Sequence, residues 1–161
     1  MRGLILRKGM YLTHVQFWIL NIWFLGLSTF SGFRWASIVL YNELPTKLNY
    51  ATIAEITVFT AVCVSSVYYI RKLYRDKFAM DLSNSNAKTS SNATVAYFLT
   101  RPLFAVIVAL FFNFTLCGIV ESATLNFQGF GKTFFIHLSA SAALISVITG
   151  NSIRRLENLA S

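Results

Sequence analysis

Four long apolar stretches, separated by polar segments, dominate the hydrophobic pattern of the chain and cover residues 12–33, 51–70, 102–120 and 133–150. Each approaches the length of about 20 residues that a helix needs to cross the hydrocarbon core of a bilayer. None of them alternates apolar and polar positions with period two, as the strands of a membrane barrel do. The pattern therefore predicts four transmembrane helices within one domain that comprises residues 1–161.

The first stretch has one feature of a secretory signal, because the basic residues Arg2, Arg7 and Lys8 precede it. Its apolar run exceeds the length of about 7–15 residues that is typical of such signals, and it lacks a small-x-small cleavage site. Three further apolar stretches follow it. We therefore interpret residues 12–33 as a retained transmembrane helix.

The amino-acid composition is also typical of a protein that is surrounded by lipid. Hydrophobic residues make up 55% of the sequence and charged residues 12%, whereas a soluble domain carries about 25% charged residues. The high content of hydrophobic residues excludes a disordered chain, which needs low hydrophobicity. Two cysteines are too few for a disulfide scaffold. The sequence therefore predicts an all-α integral membrane protein.

The distribution of positive charge predicts the orientation of the helices. If both termini are cytoplasmic, eleven of the 14 lysines and arginines lie on the inner side, and only Arg34, Lys47 and Lys132 lie outside. Such a bias is typical of the positive-inside rule. We expect a multi-pass protein of the bacterial inner membrane with both termini in the cytoplasm. The net charge of +8 then reflects topology and attraction to anionic lipid, and no nucleic-acid binding is expected.

Several helix ends are marked in the sequence. Thr100 before Pro102 has the pattern of an N-cap, although the third helix could instead begin near Val95 and kink at Pro102. Gly150 followed by Asn151 is typical of a left-handed cap that ends the fourth helix. The apolar segment 34–41 could extend the first helix or lie in the membrane interface.

The loop 71–101 is expected to have two parts. Residues 71–82 contain no helix breaker and continue the second helix as a basic stalk, whereas residues 83–94 are rich in Ser, Asn and Thr and are expected to be flexible. A stiff basic stalk next to a flexible tether suits the docking of a cytosolic effector. The docking candidates are Arg71, Lys72, Arg75, Lys77, Arg154 and Arg155. The alternative is an ordinary positive-inside connector.

Polar side chains within the spans are candidate functional residues, because such residues are costly in lipid. Glu55 and His137 lie at similar depths in their helices and could form a direct or water-bridged pair, or each could reach toward the interface alone. Asn21 and Asn113 lie near mid-membrane, where an amide commonly holds helices together. A pore lining is the alternative for both amides.

Other signals bear on assembly and chemistry. The small residues at 139–143 favour close helix packing within one chain or between copies, and the narrow bundle favours a homo-oligomer. No phosphate-binding glycine loop, HExxH or CxxC motif or carboxylate cluster is present in the sequence. We therefore expect no enzyme activity and no catalytic, cofactor-binding or metal-binding residues.

The span plan resembles that of small bacterial membrane proteins of phage defence. The apolar span that runs into a basic stalk, YATIAEITVFTAVCVSSVYYIRKLYR, is similar to the membrane subunit of the Kiwa anti-phage system (KwaA), and the overall plan also resembles the Rex exclusion membrane proteins. The Kiwa resemblance implies an oligomeric sensor, a tetramer, that responds to phage attachment or envelope stress and works with a cytosolic partner. No residue role can be carried over, because no motif is diagnostic.

Two other functions fit the same pattern. Immunity proteins against pore-forming colicins are similar in length and span count and have a comparable basic exit, IRKL. A small oligomeric ion channel lined by Glu55, Asn113 and His137 is the third possibility. We take the phage-defence sensor and scaffold as the leading hypothesis.

Overall fold

The computed structural model describes residues 12, 14–41, 49–82, 91–123 and 132–159. Four α-helices account for almost all of these residues, and a short π-helical segment, Ser37–Tyr41, directly follows the first. The helices are α1 (His14–Ala36), α2 (Tyr50–Leu82), α3 (Ser91–Ala123) and α4 (Lys132–Leu159).

Three of the four helices are long and apolar enough to cross a membrane. The crossing stretches are Tyr50–Arg75 in α2, Val95–Glu121 in α3 and Thr133–Ile153 in α4. Helix α1 has 23 residues, a sufficient length, but the polar residues Gln16 and Asn21 interrupt its apolar sequence. The architecture is consistent with a helical membrane protein and agrees with the all-α class that the sequence predicts.

The helices pack antiparallel to their neighbours in sequence, and α2 packs against the other three. Two contacts show this arrangement, since Tyr50 at the start of α2 reaches Glu121 at the end of α3, and Phe17 at the start of α1 meets Tyr74 far along α2. The end that contains the start of α2 is termed the Tyr50 end below. The opposite end, at the start of the apolar part of α3, is termed the Arg101 end.

The middle of the bundle is a contact between small residues. Ala61, Ala109 and Ala142 come from α2, α3 and α4, and none of the three side chains is exposed. Small side chains let helix backbones approach closely, which strengthens van der Waals packing in a membrane. Within the stretch 139–143 and its continuation, Ser139, Ala142 and Ser146 are buried against their own chain, whereas Ala140 is exposed.

Helix α1 is attached to this three-helix bundle mainly through α2. Aromatic contacts dominate near the Arg101 end, where the rings of Phe24 and Tyr69 stack with centroids 6.1 Å apart. Tyr69 also meets the ring of Phe98 edge-on at 6.2 Å. Such pairs contribute about 0.5–1.5 kcal/mol beyond the burial of apolar area. The aromatic residues of the sequence thus connect α1, α2 and α3.

Two predicted helix boundaries differ from the structure. Helix α3 begins at Ser91 and includes Pro102, which corresponds to the earlier of the two starts considered, and Thr100 donates to the carbonyl of Ala96 at 2.9 Å instead of capping. Helix α4 continues through Gly150 to Leu159, so the predicted cap at Gly150 is wrong. A Cβ at Gly150 would lie 3.0 Å from the ring of Tyr68, which indicates that this glycine serves close packing.

The predicted continuation of the second helix is confirmed, and the predicted flexible tether is partly wrong. Helix α2 continues without interruption to Leu82, so residues 71–82 form a helical extension of the second span. Residues 91–94, which were expected to be flexible, belong to α3. The remaining residues of the predicted tether, 83–90, lie outside the described residues. The segment after α1 extends that helix as a π-helical turn, with Ile38 and Val39 buried in the core.

Candidate functional site

A buried amide, Asn113, forms a polar cluster between helices. Its side chain is 0% exposed, and Nδ2 donates to Thr57 Oγ1 at 2.9 Å and to the carbonyl of Leu138 at 3.2 Å. The hydroxyl of Ser141 lies 2.5 Å from Asn113 Oδ1 and 2.9 Å from the same carbonyl of Leu138. We term these four residues the amide cluster. It joins α2, α3 and α4.

The amide cluster satisfies the polar groups that it contains. An asparagine amide offers two N–H donors and an acceptor oxygen, and in Asn113 both donors and the oxygen have partners. Interhelical hydrogen bonds in membranes contribute about 0.6–2 kcal/mol each. The cluster therefore fixes the register of three helices, which agrees with the interpretation of Asn113 as a residue that holds helices together.

Asn21 of α1, the other amide that was predicted to hold helices together, has a different arrangement. Its Nδ2 donates to the carbonyl of Phe17 in its own helix at 2.9 Å. The side chain is buried, with 7% exposed. Within the described residues, no side-chain hydrogen bond connects Asn21 to another helix. Of the two amides, only Asn113 links helices in the structure.

Glu55 and His137 do not form the expected direct pair. Both side chains are exposed, and no hydrogen bond or ion pair joins them in the described chain. His137 Nδ1 donates instead to the carbonyl of Thr133, 2.6 Å away. The two residues start at similar depths, but each follows a core residue (Ile53 or Phe135) by two positions, which turns the helix by about 200°. Both side chains therefore point away from the core.

The three pore candidates do not share a surface within one chain. Asn113 is enclosed between α2, α3 and α4, whereas Glu55 and His137 lie on the outward sides of α2 and α4. A conduit formed by a single copy would need these groups to face one cavity. This arrangement does not favour a pore inside the four-helix bundle.

Two contacts at the Tyr50 end were not predicted from the sequence. The indole N–H of Trp35 donates to Ser139 Oγ at 2.8 Å and links α1 to α4. The hydroxyl of Tyr50 donates to a carboxylate oxygen of Glu121, which connects the start of α2 to the end of α3. Trp35 belongs to the apolar segment 34–41, for which an interfacial position was one alternative. Its partner Ser139 lies 104 residues away in the sequence, so no local pattern pointed to this contact.

The basic groups at the Arg101 end fall into two environments. Arg71 and Arg75 are exposed on α2, but Lys72 is half-buried and donates to the hydroxyl of Tyr97 on α3 at 2.7 Å. The ring of Tyr97 also lies 4.9 Å from Lys72 Nζ and 4.6 Å from the guanidinium carbon of Arg101. We term Lys72, Tyr97 and Arg101 the basic cleft. Sequence reasoning included Lys72 among the docking residues but missed Tyr97 and Arg101.

The remaining docking candidates can be placed only by their backbone. Lys77 lies in the extension of α2, and Arg154 and Arg155 lie in the last turns of α4. The positions of their side chains lie outside the described residues. Among the described side chains, no group of three His, Cys, Asp or Glu could hold a metal ion.

Comparisons with protein-family models, curated proteins and solved structures found no match for this chain. The structure itself defines the class of the protein: it is all-helical in the described residues, and three of its helices could span a membrane.

Proposed function

We propose that this protein is a non-catalytic membrane scaffold that presents a basic helical stalk to an acidic surface of a cytosolic effector. The observation that carries the proposal is the length of α2, which has 33 residues and therefore extends about 50 Å. This exceeds the hydrocarbon thickness of about 30 Å. The excess lies at the Arg101 end, where residues 71–82 continue the helix beyond its most apolar part.

The stalk carries charge in a form that a partner can reach. Arg71 and Arg75 are one turn apart on α2, and both side chains are exposed. Guanidinium groups bind carboxylates through paired hydrogen bonds, so a surface rich in Asp and Glu is the partner that this chemistry fits. The bundle itself holds α2 in place through the amide cluster and through its packing against three other helices.

The proposal includes four membrane spans with both termini in the cytoplasm. Helix α1 would be the fourth span, since its 23 residues extend about 34 Å. Its outward side is apolar, with 68% of Ile22 and 73% of Phe33 exposed, and lipid is the solvent that suits such a surface. The positive-inside rule then places the Arg101 end in the cytoplasm.

We further propose that the scaffold acts in anti-phage defence in the bacterial inner membrane. The support for this step is the resemblance to the Kiwa membrane subunit and the stalk that suits an effector. In this role, copies assemble into a homo-oligomer, a tetramer if the resemblance holds, and phage attachment or envelope stress changes how the stalks are presented. The bilayer, further copies of the chain and the effector are then the partners.

Partner capture from the native host tests the scaffold function. The full chain with Arg71→Glu and Arg75→Glu should recover at least tenfold less of any soluble partner that the natural chain recovers. The matched control, Arg71→Lys with Arg75→Lys, keeps the charge and should retain most of the recovery. Equal recovery by the glutamate variant, or a natural chain that recovers no soluble protein, would contradict the scaffold. A plaque assay with and without expression tests the defence role separately.

A further inference from the structure

We propose that copies of this chain associate through a contact between Glu55 of one copy and His137 of the next. The inference rests on the homo-oligomer of the proposed function and names the two faces through which the copies meet. It begins from an acid and a base that are exposed within apolar helices of the same molecule. Such groups are costly in lipid, and a partner that carries the opposite character lowers the cost.

The two residues lie at the same depth in the bundle. One amide nitrogen, Asn113 Nδ2, donates to Thr57 on α2 and to the carbonyl of Leu138 on α4. Glu55 precedes Thr57 by two residues and His137 precedes Leu138 by one, so their levels along the helices differ by about 1.5 Å. Two copies that share one orientation in a membrane therefore bring the carboxylate and the imidazole to one level.

The core between α2 and α4 separates the two side chains within one copy. Ile53 and Phe135 lie in the same buried cluster, and Glu55 and His137 each follow one of them by two residues, a turn of about 200°. The acid and the base therefore point away from this cluster, on different faces of the bundle. A contact between two different faces is head-to-tail. A single copy in detergent then shows no coupling between the two residues, whereas neighbouring copies in a membrane do.

The hydrogen bonds already made by the two groups leave the atoms that this contact needs. His137 Nδ1 donates to the carbonyl of Thr133 at 2.6 Å, so Nδ1 carries a hydrogen and Nε2 is the other ring nitrogen that can bind a partner. Among the described residues, neither Nε2 of His137 nor the carboxylate of Glu55 has a hydrogen-bond partner. Nε2 and a carboxylate oxygen that share one proton form a charge-assisted hydrogen bond.

The surroundings of both residues allow two helices to approach closely. Ala51 lies one turn before Glu55 on α2, and Ala140 follows His137 by three residues on α4. Both alanines are exposed, so they are available to a neighbouring copy. Small side chains bring helix backbones close together in a membrane, where a hydrogen bond between helices adds to the packing.

Disulfide cross-linking in membranes tests the contact. Two differently tagged forms of the full chain are co-expressed, one with Glu55→Cys and the other with His137→Cys, and the membranes are treated with a mild oxidant. We expect a reducible dimer that contains both tags and is at least fivefold more abundant than the dimer of the natural chain. The natural chain keeps Cys63 and Cys117 and sets the background.

Two matched controls replace His137→Cys in this experiment. Thr115→Cys is exposed at the same depth, two residues from Asn113, but lies on α3. Ile148→Cys lies on the same side of α4, eleven residues and about 16 Å farther along the helix. Neither control should exceed twice the background with Glu55→Cys. The proposal is overturned by the absence of the mixed dimer, by equal cross-linking at either control position, or by an equally abundant dimer of Glu55→Cys with itself.

An exchange of charges tests the contact without cysteines. Fluorescence energy transfer between differently labelled copies in lipid vesicles measures their association. Glu55→Lys should weaken association at least tenfold, because it removes the acid that His137 meets. Glu55→Lys combined with His137→Glu places opposite charges at the two positions again and should restore association to within threefold of the natural chain. Glu121→Lys removes an exposed acid from the same end of the bundle and should change association less than twofold. A double variant that associates no better than Glu55→Lys contradicts the contact.

The same vesicles separate failure of this contact from failure of the homo-oligomer. Energy transfer in the natural chain, without a mixed disulfide and without rescue by the double variant, overturns the contact between Glu55 and His137 and leaves the homo-oligomer. The absence of energy transfer in the natural chain overturns both. Partner capture through Arg71 and Arg75 is measured on different residues, so it tests the scaffold independently of either result.

Discussion

Asn113 Nδ2 on α3 donates a hydrogen bond to Thr57 Oγ1 on α2 across 2.9 Å, and neither side chain is exposed. The pair lies one turn from the contact between Ala61, Ala109 and Ala142. Close backbone approach and a buried amide therefore occur in adjacent layers of the same bundle. From α3, the Asn113 amide bonds to both neighbouring helices, because α2 contributes Thr57 and α4 contributes Leu138 and Ser141.

Replacing Asn113 by leucine should destabilise the bundle more than the same change at Asn21. The Asn113→Leu variant loses its bonds to α2 and α4, and we expect a cost of about 1–2 kcal/mol. Asn21→Leu removes only a bond to its own helix, and we expect a change of less than about 0.5 kcal/mol. Unfolding by denaturing detergent measures both. Equal losses of stability in the two variants would show that the hydrogen bonds from Asn113 to other helices do not stabilise the bundle.

Glycine-to-alanine changes in two helices should have opposite effects. At Gly118 a Cβ meets nothing within 4 Å, so Gly118→Ala should be neutral or stabilise by up to about 1 kcal/mol through backbone entropy. At Gly150 a Cβ would lie 3.0 Å from the ring of Tyr68, so Gly150→Ala should lower the stability by about 1–3 kcal/mol. Thermal unfolding of the two variants is the measurement.

A second change tests the cause of the Gly150 effect. If the ring of Tyr68 is the obstacle, Tyr68→Ala should cost less in the Gly150→Ala background than in the natural chain. Purely additive costs would show that Gly150 has another role.

The hydrogen bond between Trp35 and Ser139 should be measurable as a coupling energy. Trp35→Phe keeps most of the apolar surface and removes the indole N–H, while Ser139→Ala removes the acceptor. We expect a coupling of about 0.5–1.5 kcal/mol in the double-mutant cycle. Trp23→Phe on the exposed side of α1 is the control and should show no coupling to Ser139→Ala.

The elements of this fold could be predicted from the sequence because their signals are local. Four apolar stretches gave four helices, and the absence of a breaker after Ile70 predicted the extension of α2. The ends of the helices were harder to predict, because packing between helices, and not only the local sequence, determines where a helix ends. Gly150 resembles a cap in sequence, yet the ring of Tyr68 explains a glycine inside a continuous helix.

The polar contacts could be predicted only in part. A buried mid-span amide at Asn113 needs partners, and that much follows from its sequence position. The identity of the partners depends on which sides of α2 and α4 face α3, which no local pattern encodes. Tyr97 was missed for a similar reason, since an interfacial tyrosine is common and its two cations come from positions 25 residues before it and four after.

Glu55 and His137 should behave independently of each other. Similar depth suggested a pair, but the turn of each helix directs both side chains outward, and His137 bonds to the carbonyl of Thr133. In a double-mutant cycle of Glu55→Gln and His137→Gln on unfolding stability, we expect a coupling below about 0.3 kcal/mol, as for distant sites. The cycle is best run in detergent at monomeric concentration and again in the membrane. A coupling above about 1 kcal/mol that appears only in the membrane would mean that the two residues meet across neighbouring copies, since charges exposed to lipid seek partners.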